Sequence, residues 1–383
     1  MSGTEELAVW VEVDLGCIRR NVSRLRGLLA AGTKLLAVVK ANAYGHGDVP
    51  VARAALEGGA DWLGVARVGE GAALRAADIR APILLLAEPP LPAVRRAVEL
   101  DLVPTLYTLP FARVLGAEAR RAGRRIPVHV KVDTGMHRYG VAPEEVGAFW
   151  KELEALESLR VEGIWSHFAV AEEVLNPFTE RQHRRFLEVL GTLGALGSPG
   201  APGERADGFL RHLSNSAGLL TFPEAHLDMV RAGIAIYGIH PSPALEDRVR
   251  LEPALSLKAR VGLARPLRMG EAISYGQRYV LARDGSVATV PCGYADGLSR
   301  SLTNRGEVLI RGRRYRISGT VTMDHFMVDL GGDEVSAGDE VVLLGRQETE
   351  AITAREIADT LGTIPYEVVA GLSARVPRVY LEA

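Results

Sequence analysis

Lys40 ends a short apolar run, Leu35–Val39, and is followed at once by a polar, glycine-bearing turn with Asn42, Tyr44, Gly45, His46 and Gly47. A buried strand that ends in lysine holds an amine at the mouth of a sheet. Partial desolvation there lowers its pKa and leaves a neutral nucleophile able to form a Schiff base. A lysine at a strand end is ordinarily solvated, with its stem along the surface. This chain, however, has only Lys34, Lys40, Lys131, Lys151 and Lys258, and arginine supplies nearly all other positive charge. Further polar residues follow later apolar runs: Lys131, Asp133 and Arg138 in KVDTGMHRYG, His167 in WSHF, Asn215 and Ser216 in HLSNSAG, and Arg231 in VRAGIAIYG. Taken singly, each could be a salt bridge, a cap or a loop hydrogen bond. Gathered at one end of a sheet they suit an anionic cofactor. Ser216, Gly233 and Ile234, with the Tyr44 hydroxyl beside them, would serve a phosphate. Lys40 would serve a carbonyl carbon, and Arg231 would add a permanent positive charge.

Such residues meet only if the strands that carry them lie side by side. Eight strand-like runs are visible: Leu35–Val39, Trp62–Ala66, Ile83–Leu86, Leu102–Tyr107, Val128–Val132, Val161–Ser166, Leu210–Leu213 and a short one at His226–Val230. Amphipathic stretches, among them Phe111–Ala122 and Phe178–Leu196, separate most of them. The pattern predicts an α/β fold, a TIM (β/α)8 barrel over residues 12–243, with catalytic groups at the C-terminal ends of its strands. A doubly wound open sheet is the alternative, but no G-x-G-x-x-G follows an early strand. From Leu255 onward strand-like runs dominate, with one helix at Thr353–Leu361, so a mainly β domain is expected over residues 244–383. The early strand Ala8–Val13, within residues 1–11 and just beyond, is expected to join that domain, with Asp14 capping the first helix. Gly197–Gly208 reads as a flexible outer loop.

Composition narrows the class. A formal net charge of −2 over 383 residues provides no basic surface for nucleic acid or an anionic membrane. Cys17 and Cys292 make no disulfide framework and fit a reducing compartment. The N-terminus lacks the apolar core of a secretory signal, and no run approaches a membrane span. A cytoplasmic enzyme acting on a small molecule is the expectation, with no metal.

The segment around Lys40, AVVKANAYGHG, closely resembles the cofactor-lysine motif of bacterial alanine racemases, which bind pyridoxal 5'-phosphate (PLP) on a barrel. ISYG at Tyr275, GYADG at Tyr294, MDHFMVDL at Met323 and Asp324, and RVPR at Arg375–Arg378 resemble further motifs of that family, in order, over almost the whole chain. The resemblance implies interconversion of L-alanine and D-alanine by two-base proton transfer on a PLP aldimine, supplying D-alanine for peptidoglycan. It implies a homodimer paired head to tail, with Lys40 taking the α-proton of D-alanine on one face of the substrate and Tyr275 of the other subunit that of L-alanine on the opposite face. A phenol needs help to act as a base, and His167, with Arg231 beyond it, is the implied relay. Arg138 and the Met323 N–H would bind the substrate carboxylate. Lys131 corresponds to a lysine carbamylated in some members, where it holds Arg138; Tyr294 and Asp324 would support the site. Where some members carry a tyrosine that touches phosphate, this chain has Ala374, which would leave room for serine. A barrel-type PLP decarboxylase and a non-catalytic PLP carrier are the competing readings. GYADG and ISYG are unlike the first, and the second domain argues against the other.

Overall fold

The computed structural model describes residues 4–195 and 209–382, so the loop expected at Gly197–Gly208 lies outside the described residues. The chain divides into two compact units. One comprises Ile18–Ala43 and Asp48–Glu252. The other comprises Met1–Cys17, Tyr44–Gly47 and Pro253–Ala383.

The chain enters through strand β1 (Val9–Asp14) and helix Leu15–Arg26. Asp14 caps that helix, its carboxylate accepting from the Cys17 N–H at 2.9 Å. The barrel follows: β2 (Lys34–Val38), β3 (Trp62–Val65), β4 (Ile83–Leu85), β5 (Val103–Leu106), β6 (Ile126–Lys131), β7 (Leu159–Trp165), β8 (Leu210–His212) and β9 (Met229–Ala232). Neighbours from β2 to β8 pair in parallel, and β2 also pairs with β9. Two backbone bonds complete the circuit, Asp228 N–H to Arg211 C=O and Arg231 N–H to Ser214 C=O, both 3.0 Å. Every residue of β3, β4, β5 and β9 is buried. Parallel strands covered on both faces become continuous apolar runs for that reason.

The last barrel strand begins three residues later than the apolar run suggests. His226 instead closes the short turn Pro223–Ala225, with its Nε2 2.9 Å from the Leu219 carbonyl oxygen. Arg231 is therefore inside the strand rather than beyond it, and is buried. Residues 244–252 group with the barrel. There Asn21, fully buried, donates to the Glu252 and Ile236 carbonyls and accepts from the Glu252 N–H at 2.9 Å.

The second unit is mostly β. In its seven-stranded sheet β1 pairs antiparallel with Leu255–Arg260 and parallel with Arg378–Leu381. A three-stranded sheet (Leu263–Leu267, Gly285–Val290, Phe326–Gly331) and a two-stranded ribbon (Ala272–Ile273, Tyr279–Val280) complete it. Thr353 caps the expected helix, Ala354–Leu361. A second helix, Pro365–Ala370, was not expected; its six residues are too few to show a period.

Candidate active site

Lys40 stands two residues beyond β2. The next four residues, Ala41, Asn42, Ala43 and Tyr44, all have φ between 51° and 54°, a complete left-handed turn without a glycine. Side chains of L-residues cost about 1–2 kcal/mol each in that conformation, so the surroundings must hold it. The Ala41 N–H donates to Glu70 Oε1 at 2.8 Å, the Ala43 N–H to the Val39 carbonyl at 3.0 Å, and the Asp48 N–H to Asn42 Oδ1 at 3.1 Å. The other Glu70 oxygen accepts from the Ala66 and Arg67 N–H groups beyond β3. One carboxylate thus ties the lysine's turn to the neighbouring strand. Burial, then the charge of Arg138, pushes the Lys40 amine below its ordinary pKa, while Glu70 opposes. Tyr44–Gly47 groups with the second unit, where the Tyr44 ring lies 6.1 Å from that of Tyr366. Gly45, at φ +85°, approaches so closely that a Cβ would sit 2.2 Å from the Val369 carbonyl oxygen.

Lys131, the last residue of β6, is buried, its Nζ 4.3 Å from the centre of the Trp165 ring and 5.8 Å from that of Tyr139. Burial lowers its pKa to about 7, with help from Arg138, Arg231 and Lys40 and against Asp133. The loop beyond folds back on the strand. The Asp133 N–H donates to the Val141 carbonyl and the Val141 N–H to the Lys131 carbonyl, each at 2.9 Å. Asp133 Oδ1 accepts from the Gly135 and His137 N–H groups. Gly140, at φ +142°, leaves no room for a side chain: a Cβ would lie 2.5 Å from the Asp133 nitrogen. This return brings Arg138 close enough for its charge to act on Lys40, Lys131 and His167 together.

Arg231 is 2% exposed. Its Nη2 donates to the Ser166 carbonyl at 2.7 Å and the Leu213 carbonyl at 2.8 Å, and lies 3.3 Å from His167 Nδ1. Its Nη1 is 2.9 Å from His212 Nδ1, and the guanidinium carbon is 4.6 Å from the centre of the Trp165 ring. These acceptors are all neutral, and burial lowers the Arg231 pKa to about 9. His167 is pushed well below its ordinary range by burial and by Arg231. Among the described residues, none of Lys40, Lys131, Arg138 and Arg231 has an ion-pair partner within 4 Å. A guanidinium buried without an anion is costly, and four basic groups gathered at one barrel end suit an anionic ligand.

Beside them Ser216 Oγ accepts from the Gly233 N–H at 2.8 Å and the Ala235 N–H at 3.4 Å, so its own hydroxyl hydrogen is available to a ligand. Ile234 opens the turn Ile234–Tyr237, which offers its N–H no partner. Asn215 Oδ1 caps the helix Ser216–Thr221 through the Gly218 N–H and so holds Ser216 in place.

In the second unit Tyr275 is 77% exposed, on a turn fixed by Ser274 Oγ donating to the Thr320 carbonyl and Thr320 Oγ1 to the Tyr275 carbonyl. The Tyr294 and Ala295 N–H groups donate to the Thr322 and Met323 carbonyls, each at 3.0 Å. Tyr294 and Met323 are exposed. Arg375 ties the last two segments together: its Nε donates to buried Asp296 at 2.6 Å and its Nη2 to Asp324 at 2.8 Å.

Glu70 was not singled out from sequence, and Trp165, His212 and Arg375 entered only as members of the segments WSHF, HLSNSAG and RVPR; the contacts that give them a place here reach other parts of the chain.

Known proteins agree with this picture. Residues 13–241 match the model of the alanine racemase N-terminal domain and residues 254–380 that of the C-terminal domain. An alanine racemase of Symbiobacterium thermophilum is 49% identical, over 97% of this chain and 96% of its own. The crystal structure of alanine racemase from D-cycloserine-producing Streptomyces lavendulae superposes with a TM-score of 0.90 at 41% identity, covering 98% and 97% of the two chains. That of Bacillus anthracis with bound L-Ala-P gives 0.91 at 39%, covering 98% and 95%.

Proposed function

The chain belongs to the alanine racemase family, and from that premise we propose that it interconverts L-alanine and D-alanine with PLP, supplying D-alanine for peptidoglycan in the cytoplasm. The observation that carries the cofactor assignment is the amine of Lys40, its pKa lowered by burial and by Arg138, together with the Arg231 guanidinium, buried without a counter-ion among the described residues. Lys40 would hold the cofactor's aldehyde carbon, Arg231 its ring nitrogen, Arg138 its phenolic oxygen, and Ser216, Ile234 and the Tyr44 hydroxyl its phosphate. When bound, the cofactor supplies an electron sink that acidifies the substrate's α-C–H.

The protein's own groups do the rest. Arg138 and the Met323 N–H orient the substrate carboxylate. Lys40 Nζ takes or returns the proton on one face, and its lowered pKa leaves part of it neutral for that task. The Tyr275 hydroxyl of a second subunit serves the other face. Its wide exposure in the single chain supports a head-to-tail homodimer in which each subunit completes its partner's site. His167, neutral and turned by Nδ1 toward Arg231, offers its other nitrogen to that tyrosine. Arg231, whose neighbours are all neutral acceptors, would present its cation to the ring nitrogen and disfavour protonation there.

Incubating the PLP-loaded protein with L-alanine in deuterated water tests the reading. Loss of optical activity with one α-deuterium per turnover supports it; cofactor absorbance without racemisation would turn attention to decarboxylation of basic amino acids.

Carbamylation of Lys131 is a second expectation. A neutral amine adds to CO2, forming the N–C bond and losing one proton, and an amine with pKa about 7 is available at neutral pH. The product anion would hold Arg138, which a free ammonium repels. With 13C-bicarbonate, a carbamate carbon signal should appear, grow from pH 6 to pH 8 as the amine deprotonates, and vanish in Lys131→Met.

A further inference from the structure

One buried histidine belongs to no part of this mechanism. His129 points from β6 into the barrel interior and is fully buried. Its partner in register on β7 is Gly163, and a Cβ there would lie 2.5 Å from both Cε1 and Nδ1 of the imidazole. The neighbouring strand thus keeps a space that the ring fills. His129 Nδ1 lies 2.8 Å from His212 Nε2, and His212 Nδ1 lies 2.9 Å from Arg231 Nη1.

These distances fix every proton in the chain. A guanidinium only donates, so His212 Nδ1 accepts. Neutral His212 must then carry its hydrogen on Nε2 and donate it to His129 Nδ1. His129 in turn carries its hydrogen on Nε2, which has no hydrogen-bond partner among the described residues. A proton added to either ring would set two N–H groups facing each other across 2.8 or 2.9 Å. The pair is consequently a one-way neutral strut behind the guanidinium.

We propose that His129 is a positioning residue for the reaction: through His212 it fixes the tautomer that accepts from Arg231 and so aims the guanidinium into the site. Arg231 alone still favours that tautomer, but without the acceptor at His129 the Nε2 hydrogen of His212 is left unpaired in the barrel interior. The ring escapes that cost by turning or by moving its hydrogen to Nδ1; either withdraws the acceptor from Arg231, which would be displaced from the Ser166 and Leu213 carbonyls and from His167. The proposal rests on the racemase reading above, but its first test does not.

That first test is long-range 1H–15N NMR of histidine-labelled, cofactor-free protein. The expected result is His212 protonated on Nε2 alone; a His212 hydrogen on Nδ1 in the unaltered protein overturns the proposal without any variant. His129→Leu should shift His212 toward the other tautomer, whereas His129→Asn, whose amide oxygen can stand where Nδ1 stood, should preserve it. In the loaded enzyme His129→Leu should lower kcat roughly tenfold to a hundredfold, the range for residues that orient a histidine ligand, with KM for alanine within about twofold. His129→Asn should recover most of that loss. Equal losses in the two variants, or an unchanged tautomer in His129→Leu, would mean that the residue only fills space. Should His129→Leu not fold, Gly163→Ala, which crowds the ring without removing it, is expected to give the same tautomer shift and kcat loss; an unchanged His212 in that variant overturns the proposal. If the unaltered protein does not racemise alanine, the functional reading fails and the tautomer measurement still stands.

Discussion

Lys40→Ala is expected to abolish racemisation, with kcat falling by at least about 10^4-fold, because under the proposed reaction covalent attachment of the cofactor and one of the two proton transfers would be lost together. Two consequences separate this from general damage. Borohydride treatment of the loaded parent enzyme should fix the cofactor to the peptide carrying Lys40, and the variant should carry no such label. The fold should survive, since the left-handed turn is held through backbone N–H groups and Glu70, not through the lysine side chain. Circular dichroism of the variant checks the second point, and peptide mass spectrometry the first. Residual turnover near the parent rate would remove Lys40 from the chemistry.

Tyr275→Phe has the second largest expected effect, a loss of about 10^2- to 10^4-fold in both directions of racemisation. It should leave an asymmetry. In deuterated water D-alanine still exchanges its α-hydrogen through Lys40 and returns as D-alanine, while L-alanine exchanges far more slowly. Chiral chromatography with mass detection reads both. Equal exchange from the two enantiomers would contradict the assignment of one face to each base. The ring remains, so dimer formation, read by analytical ultracentrifugation, should be unchanged.

Much of the barrel was legible because parallel strands covered on both sides leave short, uninterrupted apolar runs such as Trp62–Val65 and Ile83–Leu85. The second unit was legible only as a class. Its strands alternate buried and less buried residues, as in Leu255–Arg260, and pair across long separations that sequence does not mark. At the site, Lys40, Lys131, Arg138, His167 and Arg231 stood at recognisable strand ends. The contacts that set their properties did not. His129 and His212 are 83 residues apart and meet only because β6, β7 and β8 are neighbours. A turn after Lys40 was legible, but its left-handed course through Ala41–Tyr44 was not, since a left-handed segment normally announces itself by glycine.

That turn has a consequence for anyone who would make this protein more robust. One route to heat resistance replaces a left-handed residue with glycine and so removes local strain. Applied to Ala41 or Ala43, it would also free the backbone on which the reactive amine is mounted. A library screened for survival at high temperature would accept such changes readily, and one screened for turnover would reject them. Robustness and aim compete within a few residues here, and the tension in the segment is what keeps the amine pointed.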